Sequence, residues 1–158
     1  MTTAIDTNAL IALLYEDEHA DASEAALRDA YQNGRLVITP IVYDELVADG
    51  HFDTEEELTE FLEDFSIQVV VPSKAALFQA GEQFQRYTTR RPDHLQCPSC
   101  GTTQTVTCTD CGETIAPRQH IAAEFIIGGH ATTDANALIS FDTGFYERYF
   151  PSLSVSPT

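Results

Sequence analysis

Apolar positions along the chain fall into short unbroken runs that alternate with longer segments carrying a single apolar stripe. Thr2-Thr3-Ala4-Ile5 reads as a short buried strand that runs into Asp6-Thr7-Asn8 and then a helical run, Ala9 to Leu14. Asp21 to Asn33 has a helical pattern, and Gly34 is placed to terminate it. Arg35 to Thr39 is a second short strand. Thr39-Pro40 then supplies an N-cap followed by proline at the first helical position. That helix passes through Ile41, Val42, Glu45 and Leu46 and stops near Gly50. Thr54 and Glu57 have capping-box spacing ahead of an acidic helix with Leu58, Phe61, Leu62 and Phe65 on its inner stripe. Ile67 to Val71 is nearly all apolar, the pattern of a strand covered on both faces. Ser73 caps a helix through Leu77, Phe84 and Tyr87. Pro117 is expected to start another, containing Glu124, Phe125 and Ile126 and ending around Gly128-Gly129. Ala137-Leu138-Ile139-Ser140 is a last strand, followed by Phe141-Asp142-Thr143-Gly144 and a short aromatic helix. This β-α-β-α order predicts an α/β fold, a central parallel sheet flanked by helices on both faces.

Two of these strands end on a carboxylate beside small polar residues, Asp6 at one end of the chain and Asp142 near the other. In an open parallel sheet, ligands bind outside the carboxyl ends of the strands. Glu45 and Glu124 sit among apolar neighbours on two of the helices. A carboxylate on an apolar face is costly to bury without a partner, and few basic residues lie nearby. A divalent cation is a natural partner for converging carboxylates. Either glutamate alone is better read as lying at the wet edge of its stripe. The four acids together favour a metal.

Bulk properties narrow the setting. A chain of 158 residues supports one domain with a real core and room for a small appendage. Apolar content of 43% argues against disorder. No apolar run is long enough to span a bilayer and no secretory pattern opens the chain, so the expectation is a soluble, cytoplasmic protein. Asp and Glu number 25 against 8 Lys and Arg, a net charge of -17, and Lys74 is the one lysine. The acids recur throughout and are densest at Glu55, Glu56, Glu57, Glu60, Glu63 and Asp64. Such a surface suits a halophilic protein, because concentrated salt screens self-repulsion. An acidic protein of ordinary salt is the alternative. The charge also weakens attraction to a polyphosphate partner, an objection that high salt relaxes.

Three stretches then carry a family resemblance. Ala4-Ile5-Asp6-Thr7-Asn8-Ala9-Leu10-Ile11 resembles the opening strand and helix of PIN-domain ribonucleases. Ala123-Glu124-Phe125-Ile126-Ile127-Gly128-Gly129-His130-Ala131 and Ser140-Phe141-Asp142-Thr143-Gly144-Phe145-Tyr146 resemble their C-terminal acidic motifs. The likeness is to the VapC toxin branch, especially its archaeal members, and spans nearly everything except residues 92–117. It implies a single Rossmann-like PIN domain, residues 1–158, and a Mg²⁺- or Mn²⁺-dependent endoribonuclease site. The family's acidic quartet falls on Asp6, Glu45, Glu124 and Asp142, with Thr7, Asn8 and Ser140 as polar supports. The third acid is usually Asp, so Glu124 is a departure; Asp134, in the loop before the strand, is a poorer substitute. The implied reaction is hydrolysis of RNA phosphodiester bonds, with a carboxylate-held cation activating water and offsetting phosphoryl charge. A small antitoxin protein and a homodimer are the implied partners. Two other readings stay open: a PIN nuclease of RNA processing without an antitoxin, and a non-catalytic PIN-like module that binds RNA or protein through a zinc hairpin.

All four cysteines lie in Cys97-Pro98-Ser99-Cys100-Gly101 and Cys108-Thr109-Asp110-Cys111-Gly112. Two such knuckles match a closed tetrahedral Zn²⁺ site, and the glycine after each pair permits the tight turn. Disulfides are the alternative in an oxidising compartment, and a redox pair needs no duplicate. The module is expected as a compact zinc hairpin inserted at 92–117 and stabilised by its metal. Arg86, Arg90, Arg91 and Arg118 stand around it, four of seven arginines. They are candidates to grip RNA phosphates or an acidic protein, or to pair with nearby acids at helix ends. His94 and His120 flank the insertion without being needed as ligands, and His130 reads as a packed turn residue.

Overall fold

In a computed structural model, which describes residues 1–90, 95–96, 102–115 and 122–157, five strands form one parallel sheet. They are β1 (Thr2–Ile5), β2 (Arg35–Ile38), β3 (Ile67–Val69), β6 (Ala137–Ile139) and β7 (Val155–Ser156). Their spatial order is β3-β2-β1-β6-β7. The chain first builds outward from β1 through β2 to β3 and later returns to the other flank of β1 as β6. The crevice of such a sheet opens where that direction reverses, at the carboxyl ends of β1 and β6. Ile5 pairs with Ile139, and the Asp6 amide donates to the Ile139 carbonyl at 2.9 Å. This register sets Asp6 beside Ser140 and just short of Asp142.

Seven helices among the described residues wrap the sheet: α1 (Thr7–Leu14), α2 (Ala20–Asn33), α3 (Pro40–Asp49), α4 (Glu55–Asp64), α5 (Lys74–Arg90), α6 (Ala123–Thr133) and α7 (Thr143–Tyr149). Ile5, Leu10, Leu36, Ile38, Leu46, Leu58, Leu138 and Ile139 are buried between them. Fully burying a side chain of this size contributes about 1.5–3 kcal/mol, which fixes the strands and hence the crevice. Helix starts and stops follow local chemistry. Thr54 Oγ1 accepts from the Glu57 amide at 3.2 Å, while the Glu57 carboxylate reaches the Asp53 amide at 2.9 Å. Ser73 Oγ caps α5 through the Ala76 amide at 3.1 Å. Gly50 ends α3 at φ 83°, a left-handed position where a side chain is strained. Thr39 precedes α3 without a side-chain capping bond; the proline that starts the helix has no N–H to satisfy and a φ already suited to it.

Three expectations are corrected. The run from Ile67 is not covered on both faces: β3 is an edge strand, and Val69 and Val71 are exposed. α6 does not end at Gly128-Gly129 but continues to Thr133, so His130 is a buried helical residue rather than part of a turn. The glycines are packing positions. A Cβ at Gly128 would lie 2.3 Å from the Phe150 ring, and one at Gly129 would lie 2.5 Å from the Ala76 carbonyl oxygen of α5. The short strand β7, beside β6, was not foreseen.

Pro117, the expected start of that helix, lies outside the described residues, as do Arg91, Arg118, His94, His120, Cys97 and Cys100. Within the 92–117 segment, β4 (Leu95–Gln96) pairs antiparallel with β5 (Thr103–Gln104). Cys108 and Cys111 are not in a disulfide. Gly112 adopts φ 78°, the left-handed turn expected after the pair. The backbone amides of Cys111 and Asp110, and then the Cys111 side chain, hydrogen-bond to the Cys108 thiol and hold its pKa below the ordinary thiol value, outweighing a smaller opposing effect of burial. Among the described residues, no helix is long and apolar enough to cross a membrane.

Candidate active site

Asp6 ends β1 and caps α1, accepting from the Thr7 amide at 2.8 Å through Oδ1. Its Oδ2 accepts three side-chain donors: Ser140 Oγ at 2.7 Å, Asn8 Nδ2 at 3.0 Å and the Tyr146 hydroxyl at 3.1 Å. Only 5% of Asp6 is exposed. Burial raises its pKa above the ordinary carboxylate value, outweighing those donors, and the Glu124 charge adds to the rise. Asp6 is therefore held in place by groups that favour its ionised form, in surroundings that oppose it.

The same polar groups position the second strand end. Asn8 Nδ2 also reaches Ser140 Oγ at 3.1 Å, and Asn8 Oδ1 accepts from the Phe141 amide at 3.1 Å. The Asp142 amide donates to Ser140 Oγ at 3.1 Å, and Asp142 Oδ1 accepts from the Phe145 amide as the cap of α7. Asn8 thus ties the start of α1 to the turn carrying Asp142. Glu45, half-buried on α3, accepts a hydrogen bond from Thr7 Oγ1. Its pKa is also raised, first by burial and then by the charges of Asp6 and Glu124, against the Thr7 bond. Glu124 lies in the first turn of α6.

These four carboxylates line one cleft of about 570 Å³ at the sheet's switch point. Asp17 and Asp49 line it too, with His19 and Phe141, and among the described residues no Lys or Arg does so. Arg86 and Arg90, the described members of the basic group around the insertion, sit on α5 and are not in its wall. Asp134 is elsewhere, its carboxylate accepting from the Ser73 amide at 2.7 Å and hydroxyl at 2.6 Å across the α5–α6 junction. Burial would raise its pKa, but the two Ser73 bonds and His130 outweigh that and hold it below the ordinary value.

Several lining or supporting residues escaped the sequence reading. Asp49 lies one turn beyond Glu45, so helical spacing alone would have set both on one face. Tyr146 falls four residues after Asp142 on α7 and is fully buried against the core. Its hydroxyl is held protonated, far above the ordinary tyrosine range, by burial and the adjacent Asp6 charge. Tyr15 donates to Asp49 at 2.7 Å, and His19 stacks on Phe141 with ring centres 4.4 Å apart.

The four carboxylates offer only oxygen, and among the described residues no Lys or Arg in the cleft wall offsets their negative charge, which suits a hard divalent cation. Among the described residues, no three acidic, histidine or cysteine side chains close on one point tightly enough to enclose an ion by themselves. Mg²⁺ keeps several waters and takes only one or two carboxylates plus substrate oxygens, so an open set of this kind fits it better than a closed cage would.

The family profile of the PIN domain matches residues 3–98, more than half of the chain. The chain belongs to the PIN-domain family. Solved structures share its fold through to the end of the sheet. A chain of VapBC2 from Rickettsia felis, bound to a promoter DNA fragment, superposes with a TM-score of 0.60 at 18% identity, covering 99% of this PIN domain and 98% of that chain. VapBC-1 from nontypeable Haemophilus influenzae gives 0.60 at 18% identity, covering 99% and 97%. DNA-bound VapBC from Salmonella typhimurium gives 0.59 at 17%, also covering 99% and 97%. Comparison of the sequence with curated proteins gives no significant match.

Proposed function

We propose that this PIN domain is a Mg²⁺- or Mn²⁺-dependent endoribonuclease, acting as the toxin of a type II toxin–antitoxin pair. One observation carries the reading: carboxylates from the end of β1, from α3, from α6 and from the cap of α7 line a common cleft at the topological switch point, with no Lys or Arg among the described residues of its wall. Asp6 and Asp142 are assigned as the residues that hold the cation. Glu45 and Glu124 complete the oxygen set, directly or through water, and orient the attacking water. Thr7, Asn8 and Ser140 fix Asp6, Glu45 and Asp142 in register. When bound, the cation supplies positive charge against the phosphoryl oxygens and makes a water molecule more acidic. The VapBC complexes that share the fold support a small protein partner covering this cleft.

The proposal extends to a structural Zn²⁺ held by Cys97, Cys100, Cys108 and Cys111. The Cys108 thiol already receives backbone donors that favour its thiolate, the form a metal requires. Metal analysis is expected to give one Zn²⁺ per chain, lost in Cys108→Ser.

Cleavage of single-stranded RNA by the purified chain, in concentrated salt with Mn²⁺ or with EDTA, tests the main reading. Cleavage is expected only with Mn²⁺, and Asp6→Asn or Asp142→Asn is expected to abolish it while the circular dichroism spectrum is unchanged. Full activity in either variant would remove the assignment. The longer arm of Glu124, where the family usually has Asp, makes Glu124→Asp an informative companion: it is expected to remain active.

A further inference from the structure

A second cleft, of about 460 Å³, abuts the acidic one and shares Glu124 as a common wall. Its other lining groups include Tyr87, Gly144, Phe145, Arg148 and Tyr149, from the end of α5 and the length of α7. Phe145 and Tyr149 lie with ring centres 5.0 Å apart, and the Arg148 guanidinium sits 5.5 Å from the centre of the Tyr149 ring. Arg148 is exposed and, among the described residues, is the one Lys or Arg lining either cleft. The volume is within the range of small-molecule sites, about 300–1,000 Å³.

We infer that this cleft is a nucleotide subsite, taking an unpaired base next to the phosphate held in the acidic cleft and placing the following phosphate against Arg148. The inference rests on the ribonuclease reading above. Its physical basis is the poverty of cationic groups. Proteins ordinarily gain affinity for RNA by neutralising phosphates with Lys and Arg. This chain has a net charge of -17 and only eight Lys and Arg in all, and among the described residues Arg148 is the one of them in the wall of either cleft, so that source is scarce. Affinity for a single strand must then come from a term that salt does not screen. Stacking of bases on aromatic rings is such a term, and it is indifferent to base identity. The aromatic group stands one side chain from the proposed cation site, and the guanidinium lies over the Tyr149 ring, setting a positive charge on the aromatic group.

Fluorescence anisotropy of a labelled uridine octamer, against an abasic ribose–phosphate octamer of equal charge, tests the subsite. The full chain is used with Ca²⁺ in place of Mn²⁺, and intact RNA is verified on a gel. The wild type is expected to bind the base-bearing octamer about tenfold more tightly. Tyr149→Leu is expected to remove that difference. Gly144→Leu serves as a second variant, since no atom lies within 4 Å of a Cβ added there and the larger side chain would fill the cleft without disturbing the core. Arg148→Gln is expected to weaken both ligands and reduce the slope of log affinity against log salt by about 0.7, one phosphate's share. Equal binding of the two octamers by the wild type, or a difference that persists in a folded Tyr149→Leu or Gly144→Leu, would overturn the inference. Parallel cleavage with Mn²⁺ separates the two readings. Cleavage without base-dependent binding removes the subsite alone, whereas base-dependent binding without cleavage removes the nuclease alone.

Discussion

Asp6 concentrates the conflict that the site must resolve: a charge 5% exposed, with three side-chain donors converging on one of its oxygens. Hydrogen bonds to a charged group contribute about 1.5–3 kcal/mol each, so losing one is measurable. Tyr146→Phe keeps the ring in the core and removes only the hydroxyl. It is expected to raise the Asp6 pKa further, move the acid limb of the cleavage–pH profile to higher pH and weaken Mn²⁺ dependence on the order of tenfold. An unmoved pH limb would show that the hydroxyl does not act on Asp6. The same residue predicts how stability varies with pH. Asp6 and Glu45 have raised pKa values in the fold, so their contribution is fully present below the ordinary carboxylate values and is lost as pH rises through the raised ones. Metal-free protein should therefore melt at lower temperature at neutral than at mildly acidic pH, a trend that Asp6→Asn reduces and Mn²⁺ offsets. Asp134 works in the opposite sense and below that window: its pKa is lowered, so its contribution is lost only as pH falls through that lowered value. Asp6 and Asp142 were legible because a carboxylate closing a buried strand is conspicuous. Tyr146 was not, because α7 is crowded with aromatics and nothing in its pattern singles out one hydroxyl.

Elements were legible where one periodicity dominates and were misread where one residue type has two uses. Gly128-Gly129 looks like a helix stop because glycine commonly ends helices, yet here the pair lets α6 approach α5 and Phe150 more closely than any side chain allows. Gly129→Ala separates these roles. A merely tolerated glycine would gain about 1 kcal/mol of helix propensity on becoming alanine. A packing glycine would instead set a Cβ 2.5 Å from the Ala76 backbone oxygen, which has no flexible end to yield. Overpacking typically costs about 1–3 kcal/mol, so a net fall in melting temperature of a few degrees is expected by thermal denaturation. A rise would return the pair to the role of a helix breaker. The run from Ile67 failed for a related reason. Apolar continuity marks a strand, but Val69 and Val71 are apolar without being covered, and nothing in the run says whether another strand follows beside it. Two-residue β7 is too short to carry any period at all.

At the scale of the whole molecule, charge is the property least answered by local structure. Against 25 acids, the one ion pair of a Lys or Arg among the described residues is Arg28–Glu24, and two histidines lie within 4.0 Å of a carboxylate, His19 near Glu18 and His130 near Asp134. Most of the acidic surface therefore repels itself, and only the solvent can relieve it. The screening length falls from about 10 Å at 0.1 M salt to about 3 Å at 1 M, shorter than the spacing between most surface charges. The melting temperature is therefore expected to rise continuously with KCl across that range. α4 offers a local control, because Glu55, Glu56 and Glu57 favour its first turn whereas its last turn holds Glu63 and no basic residue. Glu63→Lys relieves both the general repulsion and the unfavourable charge at the helix end. It is expected to raise the melting temperature by about 1–3 °C in dilute salt, with the gain vanishing near 1 M as the charges are screened. A gain that persists unchanged in concentrated salt would mean that packing or propensity is responsible. A wild-type melting temperature indifferent to KCl would mean that the acids are tolerated in dilute solution, and the expected adaptation to high salt would then have no physical basis in this fold.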